Sequence, residues 1–178
     1  MTIRVPLELI RYYIDYFISE YVDDNGEPPV DLADLDDYLP NLKAHLARNH
    51  ELVFFISGLY AAVSEDSNFQ KYYGYNFPLE NKEIKNIMSL LLISLRTEGL
   101  DLSEKVVVST ESLDNFRILV GLTYRVLNGD TLNSIANKEK IGIEVIKQSN
   151  PFWYEKKGLD GSLEEGEVVR LKVPRIQT

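Results

Sequence analysis

The chain of 178 residues is long enough for one ordinary hydrophobic core or two small ones, and 44% hydrophobic and 26% charged residues are typical of a globular protein. It contains no cysteine, which excludes disulfides, thiolate metal sites and cysteine nucleophiles. The formal net charge of −9 repels phosphate backbones, so nucleic acid is not an expected partner.

The first predicted element is an amphipathic helix over residues 6–22, because Ile10, Ile14 and Phe17 recur at helical spacing. Carboxylates are concentrated over residues 20–37, where eight occur without a single base. This acidic stretch has two interpretations. It is either a solvated linker or a docking strip for a basic neighbour.

Two further helices are expected next. Pro40 suits the first turn of a helix that runs to about Asn49, since proline has no N–H to donate there. Asn49 is then a candidate cap for a helix over residues 52–63, which is apolar nearly all round and therefore expected to be central. A buried strand over residues 52–56 is the alternative, but the length of the apolar run favours a helix.

The clearest predicted helix covers residues 80–98, where apolar residues form one stripe, and Gly99 is expected to stop it. The preceding residues 64–78 are rich in tyrosine and predict an ordered loop whose rings pack on neighbours. These elements together predict a mainly helical N-terminal domain over residues 1–103.

A β-rich connection is expected over residues 104–121. Residues 105–109 and residues 116–120 each predict a strand. No Gly/Ser-rich or Pro-rich linker occurs here. The C-terminal module of residues 122–178 is therefore expected to follow directly.

The C-terminal pattern is strand, helix, helix, strand. Residues 122–127 predict the first strand, Gly129 allows a turn, and a helix is expected to begin at Thr131 or Leu132. A second helix should end at Asn150, because Pro151 follows it. The final strand over residues 167–174 turns three alternate side chains inward, namely Val169, Leu171 and Val173.

At residues 122–174 the sequence resembles a LysM domain, a small βααβ module best known for binding N-acetylglucosamine-containing polymers such as peptidoglycan and chitin. The matching motifs are Tyr124-x-Val126, Gly129-Asp130-Thr131-Leu132, Ser134-Ile135-Ala136, Ile143, Ile146, Asn150-Pro151, Leu163-x-x-Gly166 and Val168-x-x-Leu171-x-Val173-Pro174. The resemblance covers the last third of the chain. It implies an α+β fold in which a compact βααβ LysM-like module follows the helical domain.

In glycan-binding LysM domains the sugar lies in a shallow groove between the loop after the first strand and the loop after the second helix, and no catalytic residue takes part. The resemblance implies that the corresponding groove of this chain binds either a glycan or a partner protein. Its residues would be Gly129, Asp130, Thr131, Leu132, Asn150, Pro151, Phe152 and Trp153.

The chain departs from the LysM pattern beside this groove. Residues 152–162 form a longer segment than is usual, Lys140 stands where a glycine is common, and Ser149 stands where an apolar residue is common. The three aromatic residues would either stack on sugar rings, or close the core of the module or dock on the rest of the protein; they are Phe152, Trp153 and Tyr154. Packing is favoured, because apolar bulk is more often buried than displayed.

No pattern in the sequence points to catalysis. His45 and His50 are five residues apart, which turns them away from each other on a helix, so a shared metal site is not expected. There is no G-x-S-x-G elbow and no Gly-rich phosphate loop. We therefore expect a non-enzymatic protein without cofactor or metal.

The first residues lack the uninterrupted apolar centre of a signal peptide, and the longest uncharged apolar run, residues 87–95, is too short to span a bilayer. We therefore expect a protein that is made in the cytoplasm without an export signal and has no membrane span.

LysM-like domains also occur in small cytosol-made proteins of contractile phage tails and related injection machines, where they hold baseplate components together. The resemblance therefore favours a structural component of a virion, with tail or baseplate subunits as partners. The alternative is a protein that binds a peptidoglycan-type or chitin-type glycan. A third hypothesis is a cytoplasmic LysM protein of a host cell that senses envelope stress or sugars.

Overall fold

The computed structural model describes residues 2–96 and 105–171 of the chain. It combines helices with short strands, which confirms the α+β class in general terms. The chain divides into two compact units. One comprises residues 1–47 and 51–113, and the other comprises residues 48–50 and 114–178.

The first unit is mainly helical and contains one small sheet. Its elements are β1 (Thr2–Pro6), α1 (Leu7–Asn25), α2 (Leu39–Arg48), α3 (Leu52–Glu65), α4 (Asn81–Leu95) and β2 (Lys105–Ser109), with short 3-10 turns at Ala33–Leu35 and Phe69–Tyr72.

Strand β1 has no counterpart among the predicted elements. It pairs in parallel with β2, with Ile3 opposite Val106 and Val5 opposite Val108, and both strands pack on α3. The strand expected over residues 105–109 is thereby confirmed. A parallel pair needs a crossover connection, so its strands come from the two ends of the unit and local sequence does not reveal the pairing.

Helix α1 confirms the amphipathic pattern, since Ile10, Ile14 and Phe17 are all buried. The helix continues to Asn25 because Gly26 supplies a left-handed C-cap with a φ of 76°. The Gly26 N–H donates to the Val22 carbonyl at 2.8 Å.

Helix α3 is the central helix of this unit, and the alternative of a strand over residues 52–56 is wrong. Phe55, Ile56 and Leu59 are completely buried. The expected cap at Asn49 is also wrong, because the residue that precedes the helix is Glu51. Gly58 lies against α1 and β1, where an added Cβ would be 2.9 Å from side-chain atoms of Ile10 and Val5.

Helix α4 begins with a capping box, in which the Glu80 N–H donates to the Glu83 carboxylate at 2.6 Å. It ends at Leu95, before the predicted end at residue 98, and Gly99 lies outside the described residues. The predicted apolar stripe is confirmed. Its buried members are Ile84, Ile87, Met88, Leu91 and Leu95.

The acidic stretch contains an ordered turn. The Asp34 carboxylate accepts from the N–H groups of Val30 and Asp31 at 2.7 and 3.1 Å. The Asp31 carboxylate accepts from the N–H groups of Ala33 and Asp34 at 2.8 and 3.3 Å. These backbone bonds lower the pKa of Asp34. Two of the carboxylates therefore shape the chain around them.

Within its described residues, the second unit contains six helical or strand elements and begins with a helix. They are α5 (Leu113–Leu119), β3 (Thr123–Arg125), α6 (Leu132–Lys138), α7 (Ile143–Ser149), α8 (Pro151–Lys157) and β4 (Val168–Arg170). β3 and β4 are antiparallel, with Tyr124 opposite Val169. The core between the sheet and the helices comprises Val126, Leu132, Ile135, Ala136, Ile146, Leu163, Val169 and Leu171.

Two predictions for this unit are wrong. The strand expected over residues 116–120 is part of α5, so the connection over residues 104–121 holds one strand and one helix. A short apolar run suits either state, and only Phe116 of this helix is buried. The expected loop after Pro151 begins instead as α8, because a proline that ends one helix also suits the first turn of the next.

We expect Gly58→Ala to lower the free energy of unfolding by about 1–2 kcal/mol, because the added methyl overpacks the contact with α1 and β1 by more than alanine gains in helix propensity. Urea titration followed by far-UV circular dichroism measures this change. Ser64→Ala, at an exposed position of the same helix, is the matched control and should be neutral or stabilising. A Gly58→Ala protein as stable as this control would contradict the tight contact.

Candidate binding groove

The first side of the predicted groove is the turn between β3 and α6. Gly129 has a φ of 83°, which confirms the turn conformation expected of it, and its backbone is exposed to solvent. Leu132 is fully buried in the core and is not available to a ligand. Asp130, which lies between them, is also buried.

The Asp130 carboxylate is the centre of a hydrogen-bond network. One oxygen accepts from the Tyr124 hydroxyl and from the Leu127 N–H, both at 2.9 Å. The other accepts from the Lys138 ammonium at 2.6 Å and from the Ser134 hydroxyl at 3.3 Å. Both oxygens are thus occupied by the protein itself.

These contacts set the charge of the network. Burial raises the pKa of Asp130, but the hydrogen bonds from Lys138, Leu127 and Tyr124 outweigh it and lower the pKa to about 2. Hydrogen bonds to Asp130 and Tyr124 raise the pKa of Lys138. Asp130 and Lys138 therefore remain an ion pair near neutral pH, and neither is poised to exchange protons.

Thr131 caps helix α6. Its hydroxyl accepts from the Ser134 N–H at 3.0 Å, and the Ser134 hydroxyl accepts from the Thr131 N–H at 2.9 Å. This reciprocal capping box explains why the helix begins at Leu132, as the sequence predicted. Thr131 therefore holds the helix end.

The second side of the predicted groove begins at Asn150, which is buried. Its side-chain oxygen accepts from the Arg170 N–H at 2.8 Å. Its amide group donates to the Arg170 carbonyl at 2.7 Å and to the Ile146 carbonyl at 2.9 Å. Asn150 therefore pairs with the outer edge of β4 as another strand would, and it ties α7 to the sheet.

The longer segment lies against the first side of the groove. The Leu163 N–H donates to the Asp130 carbonyl at 2.9 Å, and the Asn133 N–H donates to the Leu159 carbonyl at 3.0 Å. The Asn133 side chain also donates to Asp160 at 3.0 Å. Leu163 and Leu159 therefore occupy the Asp130 carbonyl, on the first side of the groove, and the Asn133 N–H, directly after it.

The two predicted sides are not joined directly. Within the described residues no hydrogen bond connects residues 129–132 with residues 150–153. The first side bonds to residues 159–163, and the second bonds to β4. Each side instead contacts the same hydrophobic core, the first side through Leu132 and the second through the partly buried Trp153.

The aromatic residues after Pro151 divide between core and surface. Trp153 packs against the core, whereas Phe152 is 62% exposed and Tyr154 is 38% exposed. The Lys156 ammonium lies over the rings of Phe152 and Trp153, at 5.7 and 5.8 Å from their centres. The sequence left burial and exposure of these rings as alternatives. Helix α8 places one ring against the core and two at the surface.

A shallow depression of about 200 Å³ lies between α7 and α8. Its lining residues carry both charges as well as apolar surface, and they are Glu144, Lys147, Gln148, Pro151, Tyr154 and Glu155. The Lys147 ammonium lies 4.9 Å from the centre of that ring and 3.0 Å from the Glu144 carboxylate. One open surface of this unit therefore lies on α7 and α8.

Sequence reasoning missed the Lys138 side of the Asp130 network. The available signal was spacing, because Ser134 and Lys138 are four residues apart on one helix and so share the face above the Asp130 turn. It also did not show how the two residues that depart from the LysM pattern, Lys140 and Ser149, are placed in the structure. Lys140 adopts a left-handed conformation with a φ of 54°, and the Ser149 hydroxyl is buried without a hydrogen-bond partner among the described residues.

The structure offers little for other chemistry. In the described ranges, residues 2–96 and 105–171, no group of three or more His, Asp or Glu side chains could hold a metal ion. His45 packs edge-on against Tyr12, Tyr13 and Tyr16. None of the helices described is long and apolar enough to cross a bilayer.

Comparison with known proteins gives no match to any family model, curated protein or solved structure.

We expect the stability of the second unit to depend on pH through Asp130. Its pKa of about 2, against about 4 when unfolded, stabilises the fold by about 2 kcal/mol above pH 4, and this stability is lost as the pH falls from about 4 to about 2. Trp153, the single tryptophan, reports this unit by fluorescence in urea titrations. Asp130→Asn should be less stable than the natural chain at pH 6 and nearly equal to it at pH 2. Glu165→Gln, at an exposed turn, is the control, and a constant gap for Asp130→Asn across this range would contradict the assignment.

We expect Asn150→Asp to lower the free energy of unfolding by about 2–3 kcal/mol, because a carboxylate oxygen would replace the amide that donates to the carbonyls of Ile146 and Arg170. Trp153 fluorescence during urea unfolding measures the loss. Asn128→Asp, at an exposed position in the turn between β3 and α6, should change stability little. Equal effects of the two variants would show that the hydrogen bonds of the Asn150 side chain do not stabilise the fold.

Proposed function

We propose that this protein is a non-enzymatic structural component of a larger protein assembly and that its second unit contacts other subunits. The observation that carries the proposal is the occupation of the predicted groove by the chain itself. Internal hydrogen bonds occupy the polar side-chain groups of Asp130, Thr131 and Asn150. A ligand that binds these groups would have to break the internal hydrogen bonds. The new bonds to the ligand would then only replace those that were lost.

The surface that remains suits a protein partner. Phe152 and Tyr154 are exposed on α8, next to the depression lined by Pro151. Aromatic side chains are enriched at protein interfaces, since each gives a large contact area for little conformational entropy. The contact surface that we propose is therefore the α7–α8 face, defined by Lys147, Pro151, Phe152, Tyr154 and Lys156.

The kind of assembly follows from the resemblance described above. LysM-like domains occur in proteins of contractile phage tails and related injection machines. The assembly that we propose is therefore a tail or a baseplate. The second unit supports this reading in part, because its β3, α6, α7 and β4 follow the strand, helix, helix, strand order of such modules. Helix α8 is an addition to that order.

A second candidate function is binding of an N-acetylglucosamine-containing glycan. The exposure of Phe152 and Tyr154 favours it, because flat aromatic rings at a protein surface can stack on pyranose faces. This binding would take place on the α7–α8 face and not in the groove between residues 129–132 and 150–152.

Co-expression with the proteins encoded by neighbouring genes tests the assembly role. We expect the chain to co-elute with at least one of them in size-exclusion chromatography, and the double variant Phe152→Ser, Tyr154→Ser to lose about 1–3 kcal/mol of binding free energy, roughly 5-fold to 150-fold in affinity. Val53→Ser, at an exposed apolar position of α3, is the control and should bind normally. Sedimentation with purified peptidoglycan and with chitin tests the alternative.

A chain that never co-elutes with these proteins would contradict the assembly role. Co-sedimentation with a glycan that the Phe152, Tyr154 variant loses would establish the second candidate in its place. A chain that stays in the supernatant would exclude that candidate.

A further inference from the structure

We propose that the free edge of β3, defined by the outward backbone groups of Thr123 and Arg125, binds an extended acidic segment of a partner protein. The segment adds to the sheet as a third strand beside β3. This surface uses other residues than the α7–α8 face and does not depend on it. The inference starts from the hydrogen-bond pattern of the β3–β4 pair.

The backbone groups of β3 point alternately toward β4 and away from it. Val126 is bonded to the second strand, since its N–H donates to the Glu167 carbonyl at 2.8 Å. In an antiparallel pair, residues that bond to the partner strand alternate with residues whose backbone groups point away from it. Tyr124, two residues before Val126, therefore also bonds to β4. The N–H and C=O groups of Thr123 and Arg125 point to the outside of the sheet.

The other edge of the sheet shows the same alternation and is closed at Arg170. This residue lies opposite Thr123, and its N–H and C=O groups bond to the Asn150 side chain at 2.8 and 2.7 Å. The β3 side has no equivalent of Asn150. Among the described residues, no hydrogen bond reaches the outward backbone groups of Thr123 or Arg125. These groups are therefore available to another strand.

The surroundings of β3 leave room for such a strand. Arg125 is exposed and Thr123 is half-buried. Leu127, two residues after the strand, is 55% exposed. At Gly121, two residues before the strand, an added Cβ would meet no atom within 4 Å. Open space is therefore present at both ends of the free edge.

The side chains beside the free edge select an acidic partner. Tyr124 and Val126 pack on the core, so Thr123 and Arg125 lie on the outer face of the sheet together with the opposite residues Arg170 and Val168. Both arginines are exposed, and neither forms an ion pair with a described residue. A carboxylate opposite Arg125 on an added strand would pair with its guanidinium, which stabilises a sheet.

The alternation of donors and acceptors favours a polypeptide over another anion. An extended polypeptide carries an N–H and a C=O on nearly every residue, so an antiparallel strand can bond to both groups of Thr123 and both groups of Arg125. A phosphate or a free carboxylate would bond only to the N–H groups and would leave the carbonyls without a donor. In strand addition the main chain supplies the affinity, and alternate side chains supply the specificity.

Fluorescence anisotropy with labelled peptides of about ten residues tests the proposal on the full chain. One peptide alternates glutamate with threonine, and the matched peptide alternates lysine with threonine. We expect saturable binding of the glutamate peptide and binding of the lysine peptide that is weaker by roughly fivefold. Arg125→Glu should reverse this preference. Lys156→Glu, on the α7–α8 face, is the control and should retain it.

Methylation of the peptide amides tests the backbone pairing separately from the charge. The two residues of a hydrogen-bonded pair carry their side chains on the same face, so a glutamate that faces Arg125 also points its N–H at β3. N-methylation of the glutamates should therefore weaken binding by at least roughly tenfold. N-methylation of the threonines, whose N–H groups point away from β3, is the matched control and should be tolerated.

Proline substitution tests the same pairing from the side of the protein. Thr123→Pro removes an outward N–H that the β3–β4 pair does not use, so the sheet can form but its edge loses a donor. The variant should bind the glutamate peptide more weakly. Val168→Pro, at an outward position of β4, is the matched control and should bind normally. Circular dichroism and Trp153 fluorescence report folding, and the methylated peptides decide on the natural chain if a proline variant unfolds.

A natural chain that does not bind the glutamate peptide would overturn the inference. Equal effects of the two methylations, or a reversed preference in Lys156→Glu, would overturn it as well. Co-elution with neighbouring gene products in the absence of peptide binding would leave the assembly role in place. Peptide binding at the free edge without any such co-elution would support this inference and contradict the role in a larger assembly.

Discussion

The buried carboxylate of Asp130 is the constraint on which the second unit depends. A charge that leaves water must be compensated by an opposite charge and by hydrogen bonds. Here the compensating groups come from β3, from the turn after it and from both ends of α6, through Tyr124, Leu127, Ser134 and Lys138. Satisfying one charge therefore fixes the positions of a strand, a turn and a helix at once.

The same constraint commits the polar side chains of the predicted groove to the fold. Residues recognised from a family pattern as contacts for a ligand are here the residues that hold the fold. Asn150 is the second example, since its amide completes the edge of β4. Where a turn and a helix end are already saturated, a binding surface has to come from side chains that the core does not use. Phe152, Tyr154 and Lys156 meet that condition.

The sequence predicted those elements whose residues carry their own signal. Helices α1, α3 and α4, the turn at Gly129 and the start of α6 were predicted because periodicity and capping are local. The pairing of β1 with β2 could not be predicted, because it joins distant segments. The nature of the groove could not be predicted either. The internal bonds of its residues come from distant segments, as in the bonds of Asp130 with Leu163 and of Asn150 with Arg170, and only the structure shows them.

Helix α8 shows why the aromatic run after Pro151 could not be wholly buried. Successive residues of a helix point about 100° apart, so three adjacent rings cannot all face one core. Trp153 takes the inward position, and Phe152 and Tyr154 are left outside. A helix of seven residues is too short to form on its own, so the inward ring anchors it to the core. Of the outward rings, Phe152 meets the Trp153 ring edge-on, with the ring centres 4.7 Å apart, and both outward rings still face solvent. Their exposure is accounted for if another subunit covers them.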